Sequence, residues 1–540
     1  MSLPCMAQSD LSIDSLESIS RERGTEISRL WREKAYSRAL DILREVAAIP
    51  NMSAADNVWP GILYNMACAH SLLGNSDSAL VYLKKSVEAG YYNYQHIAQD
   101  SDLEPLHSDP AFHELVDFAR RHAEFWNSSV MATPYGDTIT VDERLAGLSR
   151  LWMEVKLNFV FFDQAPELDW DGLYMAFIPQ VREATSTLEY FRTLQKMCAA
   201  LHDGHTGLTP PRELWPVVWA SPDISTALVE DKVLITRVTD EALERQGVKP
   251  GMEIVAIDGV PIRTYADNFI RPYVAASTQQ GLDAQVYTYK LLNGDESKPV
   301  SLTLSDEADH TSTVELPRTM SFTRSDPVEF RMLDANVAYV NITSFSNDTV
   351  VTIFDSLFAT IQQSNGLIID LRKNGGGNSS LGWRILGYLT DTTFGTMKSE
   401  TRTYSSVRRY FNQKQKWDTI SWTQPPNGEK LFTGPVVVMA SPFTGSAAED
   451  FLVAFDYMRR GTIIGEPSAG TTGQPMMFSL PGGIQARVCI RKCTYPDGKQ
   501  FVGVGVQPDI VAKRTVADVR QGGDSVLDVA LETLLHQQAR

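Results

Sequence analysis

Residues 435–450 read PVVVMASPFTGSAAED, and this stretch decides how the second half of the chain is built. Val436, Val437, Val438 and Met439 form an unbroken apolar run rich in β-branched residues, the pattern of a buried strand. Pro442, Thr444 and Gly445 break that run, and from Ala447 to Met458 apolar residues recur at helical spacing. Ser446 therefore stands where a strand gives way to a helix. Such a turn projects a hydroxyl outward and aims unpaired backbone N–H groups at whatever the hydroxyl attacks. Two readings are open for Ser446 at this point: a nucleophile, or an ordinary helix N-cap.

The surrounding region, residues 325–540, alternates strand and helix. Strands are expected at Asn336–Ile342 and Gly366–Leu371, with a helix between them from Val350 to Gln363. The second strand runs into Arg372-Lys373-Asn374-Gly375-Gly376-Gly377, and a helix follows through Leu389. Successive glycines let backbone N–H groups point into one concavity, ready for an anion or an oxyanion. A triple glycine also serves ordinary tight turns; its position between a buried strand and a helix gives it weight.

Upstream, residues 140–212 form a helical block whose stripe includes Leu148, Leu151, Trp152, Val155 and Phe159. It ends at Asp203-Gly204-His205-Thr206, where glycine breaks the helix and leaves His205 at a loop edge. His202 and His205 have no carboxylate or cysteine partner at ligand spacing, so no metal site is expected. A loop histidine is usually just solvated. It gains meaning beside a nucleophile in need of a base, because acyl transfer requires a nucleophile, an oxyanion site and a base.

Two more regions complete the chain. Residues 215–318 are β-rich: VEDKVLITRV alternates, EALERQG makes a short helix, and VKPGMEIVAIDGVPI supplies a turn at Gly251 and a hairpin at Asp258-Gly259. This order resembles a PDZ-like domain, which implies capture of a peptide by strand addition. The usual glycine-rich carboxylate loop is not present near Trp215–Ser221, so a scaffold or gate stands beside peptide capture. The segment from Tyr265 to Gln285 reads as a helical elaboration. Residues 25–125 are helical, and small residues Ala67, Gly74, Ala79 and Ala89 between larger apolar ones allow close antiparallel packing. They resemble one to two tetratricopeptide repeats, which implies either a docking surface for a protein partner or a stabilising appendage.

With 540 residues, three or four domains are expected. The formal charge of −17 argues against nucleic acid or an anionic membrane as main partner. No apolar stretch approaches a bilayer span. Five cysteines (Cys5, Cys68, Cys198, Cys489, Cys493) show neither metal spacing nor a disulfide framework. Residues 1–24 read as an N-terminal tail. Within it SLPCMAQSD resembles the end of a secretory signal with a cut after Ala7, so export to the periplasm or exterior of a bacterium is expected, cytoplasmic residence being the alternative.

The motifs Asp370–Gly377, Thr444-Gly445-Ser446-Ala447-Ala448-Glu449, Arg460-Gly461 through Gly465-Glu466, and Gly505-Val506-Gln507-Pro508-Asp509-Ile510 follow in order. This set resembles the tail-specific, or C-terminal processing, serine peptidases. DGHT and the block before it resemble the tricorn-like branch. The resemblance implies a multidomain α+β chain: α-helical repeats, a helical block, a PDZ-like β domain, and a ClpP/crotonase-like α/β peptidase core. It implies Ser446 as nucleophile, with Ala447 and Gly376 or Gly377 as oxyanion donors, acting on polypeptides without metal or cofactor. Thr471 stands where one branch carries a lysine base, which excludes a Ser–Lys dyad there and implies His205 as the base. The residue that orients His205 is expected to be a carboxylate: Glu466 foremost, with Asp203 and Glu449 as alternatives. A non-catalytic peptide- or apolar-ligand-binding protein on the same fold is the competing expectation.

Overall fold

The computed structural model describes residues 13–126, 128–320, 326–428 and 430–538. Cys5 and the signal-like residues 2–10 lie outside the described residues. The chain divides into two units, Met1–Val130 and Met131–Arg540.

The first unit is helical. Its longer helices are Ile13–Arg32, Tyr36–Ala47, Trp59–Leu72, Ser76–Glu88 and Pro110–Trp126. Trp59–Leu72 and Ser76–Glu88 pack against each other, with Ala67, Ala69 and Ala79 buried between larger side chains. The tail expected over residues 1–24 is corrected here, because helix begins at Ile13. Leu16, Ile27 and Leu30 are buried, and that apolar stripe holds the segment as helix.

In the second unit, a six-stranded sheet runs in the order Ile510–Val511, Thr462–Gly465, Val436–Ala440, Gly366–Asp370, Val337–Ile342, Val328–Leu333. All neighbours are parallel except the last pair. Both faces of this sheet are covered. Val437, Met439 and Ile368 pack with Val526, Ala530 and Leu534 of the C-terminal helix, while Val436, Val438 and Ile369 face the main core. Burial on both sides explains why the central strands read as unbroken apolar runs rather than alternating ones.

The helices Val141–Asn158, Trp170–Glu183 and Thr187–Ala199 do not close a core of their own. Leu148, Leu151, Val155, Tyr190 and Leu194 share one core with Ile369, Val438 and Phe451. The strand Gly207–Thr209 just after His205 pairs antiparallel with Ile484–Cys489, Gly207 opposite Arg487. This pairing fastens the histidine turn to the sheet system.

Residues 224–316 form a separate sheet of Ile224–Val229, Lys232–Val238, Glu253–Ile257, Val300–Ser305 and Thr311–Leu316 over its own core. Val260–Pro261 closes a hairpin onto Glu253–Ile257 through Asp258 and Gly259, both at positive φ. Between this hairpin and Val300 the chain is mostly helical. It includes two π-helical segments, Ala266–Ile270 and Gln285–Lys290. Cys68, Cys198, Cys489 and Cys493 are all buried and free.

Candidate active site

Parallel neighbours end on the same edge of a sheet, so the loops that leave them meet there. Gly366–Asp370 and Val436–Ala440 are such neighbours, with Asp370 opposite Met439. The glycine loop and the serine turn are then tied by three hydrogen bonds. Ser441 Oγ donates to Arg372 O at 2.6 Å, Thr444 Oγ1 to Leu371 O at 2.9 Å, and Gly445 N to Asn374 O at 3.1 Å.

Ser446 is held at φ 55°, ψ −126°, a conformation that a non-glycine residue keeps only when its surroundings dictate it. Its amide donates to Thr471 O at 2.8 Å and to Glu449 Oε2 at 3.3 Å. Ala447 is the first residue of the helix Ala447–Tyr457, so its N–H has no intrahelical acceptor. Gly376 lies directly against the serine: a Cβ there would come within 2.6 Å of Ser446 Cβ. At Gly377, φ is +137° and a Cβ would meet the Phe345 carbonyl carbon at 2.3 Å, so only glycine fits.

The two glycines differ in their amides. Gly376 N donates to Asn374 Oδ1 at 2.9 Å and is engaged within the loop. The Phe345–Gly377 bridge is made by Phe345 N to Gly376 O and Asn378 N to Phe345 O, which leaves the Gly377 N–H outside it.

His205 reaches this edge from the helical block. Nε2 lies 3.0 Å from Ser446 Oγ, and Nδ1 lies 2.8 Å from Thr471 Oγ1. The ring is 8% exposed, and burial, with Arg487 as a lesser cause, lowers its pKa to about 4. The imidazole is therefore neutral near pH 7. Asp203 does not reach the ring: its carboxylate accepts from Thr206 Oγ1 at 2.6 Å and from Ser277 Oγ at 3.4 Å, bracing the turn.

The expectation that Glu466 orients His205 is not met. Its carboxylate instead lies 3.7 Å from Lys513 Nζ, and Thr471, further along the same loop, is the residue that reaches the imidazole. Thr471, which the sequence reading considered only as the place of an absent lysine, occupies the position beside Nδ1. Glu449 acts one step further back. Fully buried, it accepts from Ser468 Oγ at 2.5 Å, Gly470 N at 2.7 Å and Thr471 N at 2.8 Å, fixing the loop that carries Thr471. Burial pushes its carboxyl up to about 8, against the opposing pull of these donors. A buried glutamate three residues after the serine, facing a Ser-Ala-Gly-Thr loop, is the sequence signal that marks this brace.

Comparison with known proteins agrees with the geometry. Residues 336–512 match the model of peptidase family S41. The chain is 23% identical over 364 residues to a carboxyl-terminal-processing protease of Synechocystis sp., covering 64% of this chain and 77% of the relative. It is 25% identical over 371 residues to the protease so named in Picosynechococcus sp., covering 65% and 80%. Among solved structures, mature CPAF superposes with a TM-score of 0.59 at 15% identity, over 74% of this chain and 98% of that one, a likeness of fold. Residues 336–512 thus carry a peptidase family S41 domain, the chain is similar to carboxyl-terminal-processing proteases, and it is a serine-type peptidase.

Proposed function

We propose that the protein is an endopeptidase that hydrolyses peptide bonds of polypeptides through an acyl-enzyme on Ser446, with His205 as general base. The observation that carries this reading is the 3.0 Å contact between His205 Nε2 and Ser446 Oγ, made by a strained serine and a buried, neutral imidazole. With Nδ1–H donating to Thr471 Oγ1, Nε2 keeps its lone pair for the serine proton. Oγ attacks the scissile carbonyl carbon as Nε2 takes its proton. The carbonyl oxygen becomes an oxyanion beside the amides of Ala447 and Gly377, Gly376 serving as the close-packed floor. Collapse of the tetrahedral species passes the proton from Nε2 to the leaving amine. Water, deprotonated by the same nitrogen, then releases the acyl group and restores Ser446.

On this reading Thr471 is a positioning residue, and Glu449 holds its loop. The parallel sheet with its loop-borne site supports a ClpP/crotonase-like core. The sheet over residues 224–316 supports a PDZ-like module, and the helices over residues 13–126 a tetratricopeptide-like scaffold for a protein partner. A binding-only protein has no use for a strained serine pressed against a neutral imidazole. Turnover of a reduced, unfolded protein by wild type, beside Ser446→Ala, tests the reading: cleavage by wild type alone supports it, and equal cleavage by both refutes it.

A further inference from the structure

A cavity of about 300 Å³ lies between the helix Thr187–Ala199 and the helical insertion 262–293. Its walls are Arg192, Trp219, Tyr265, Tyr273, Tyr289 and Lys290. The chain carries a formal charge of −17, yet the charges acting on Lys290 are the cations Arg192 and Arg487. Arg192 makes a 3.3 Å hydrogen bond to the neutral Gln195 and lies 5.1 Å over the Tyr273 ring, with Lys196 at 5.1 Å over the same ring. Among the described residues no carboxylate pairs with Lys290 or Arg192. Burial and the neighbouring cations lower Lys290 to about 8, so it still carries its proton at neutral pH. Two part-buried cations gathered in one cavity without an acidic partner repel each other, and a bound anion relieves that repulsion.

The backbone around the cavity points the same way. Phe269 and Ile270 come from one π-helical segment, and Tyr289 and Lys290 from the other. Such segments are rare and recur at functional sites, where they re-aim side chains. Phe269 and Tyr289 remain about half exposed at the rim, so the cavity offers an apolar entrance to a cationic interior. We propose that this cavity binds an organic carboxylate with an apolar body, the carboxylate on Lys290 and Arg192 and the body against Trp219, Tyr265 and Tyr273. Bidentate pairing with the guanidinium and a point charge from the ammonium suit a carboxylate, and aromatic walls suit an aliphatic or aromatic group. The ligand is either a free small carboxylate or the C-terminal carboxylate of a peptide.

The site has a direct line to the chemistry. Arg192 sits on the helix that leads into the His205 turn, and Tyr289 packs edge-on against Phe443, its ring centroid 5.3 Å away and three residues before Ser446. Occupancy therefore touches both the histidine-bearing and the serine-bearing segments.

The test uses full-length Ser446→Ala protein, so that binding is read without cleavage and its failure is separate from failure of the proposed catalysis. Calorimetry compares 4-phenylbutyrate with 4-phenylbutanamide, and a hexapeptide ending in leucine with its C-terminal amide. The expected result is that at least one acid binds roughly tenfold more tightly than its amide, and that adding Lys290→Met abolishes the preference. Arg192→Gln, checked for an unchanged thermal melt, gives a second reading should Lys290→Met fail to fold. Preference for the small acid alone assigns a small-molecule site; preference for the peptide acid assigns a peptide terminus. Acids and amides bound alike, no binding of either acid, or a preference that survives in the folded variant overturns the proposal.

Discussion

Thr471 Oγ1 lies 2.8 Å from His205 Nδ1, the ring nitrogen that Ser446 does not use. A hydroxyl thus stands where a carboxylate orienter was expected. Thr471→Val keeps the shape and removes the partner, so kcat is expected to fall by roughly ten- to a hundredfold with KM little changed. Thr471→Ser should restore most of the loss. Steady-state kinetics on one peptide substrate check this; an unchanged kcat in Thr471→Val means packing alone orients the ring.

Gly204 leaves room for that hydroxyl. A Cβ at Gly204 would come within 2.7 Å of Thr471 Oγ1. Gly204→Ala should lower kcat by displacing Thr471, and its effect should largely vanish in a Thr471→Ala background, where the clashing atom is gone. A double-mutant cycle measures this coupling, and strict additivity contradicts it.

With His205 as the proposed base, the acid limb of kcat/KM is expected to follow its pKa, which burial lowers to about 4 from an ordinary 6.5. Activity should persist well below pH 6 and fall near pH 4. Stability carries the same sign: the unfolded histidine binds a proton that the folded one refuses. The contribution is complete above pH 6.5 and is lost as pH falls toward 4. Thermal melts of wild type and His205→Gln across that window should converge toward acid.

Ser446 keeps φ 55° at an energetic cost that glycine would not bear. Ser446→Gly should abolish activity while raising stability by up to about 1 kcal/mol, part of the relief being offset by glycine's greater unfolded-state entropy. Denaturant unfolding measures the difference.

Glu449 accepts on both oxygens, from Gly470 N on one and Thr471 N on the other. Glu449→Gln turns an amide NH₂ toward one of these donors and orphans it. A loss of about 2 kcal/mol in unfolding free energy is expected, together with loss of activity.

Much of this arrangement was legible in the residues. The unbroken run Val436–Met439 marked a strand buried on both faces, and the breaks at Pro442 and Gly445 placed Ser446 at its exit. The glycine loop after Asp370 was equally plain, since a strand-to-helix turn at positive φ requires glycine. His205 lies 241 residues from Ser446, and no periodicity brings the two together; only the family resemblance did so. Thr471 escaped because its role rests on a loop path fixed by the Ser446 amide and the Glu449 carboxylate, which local pattern does not encode. Glu466 misled because nearness in sequence to a strand end says nothing of the side on which the next side chain falls.

The most direct test of the account is covalent labelling with a fluorophosphonate, read by mass spectrometry on the full chain. The account predicts one adduct, on Ser446, absent from Ser446→Ala and slowed by orders of magnitude in folded His205→Gln. Labelling of Ser446 at full rate without His205, or labelling that survives Ser446→Ala, contradicts it.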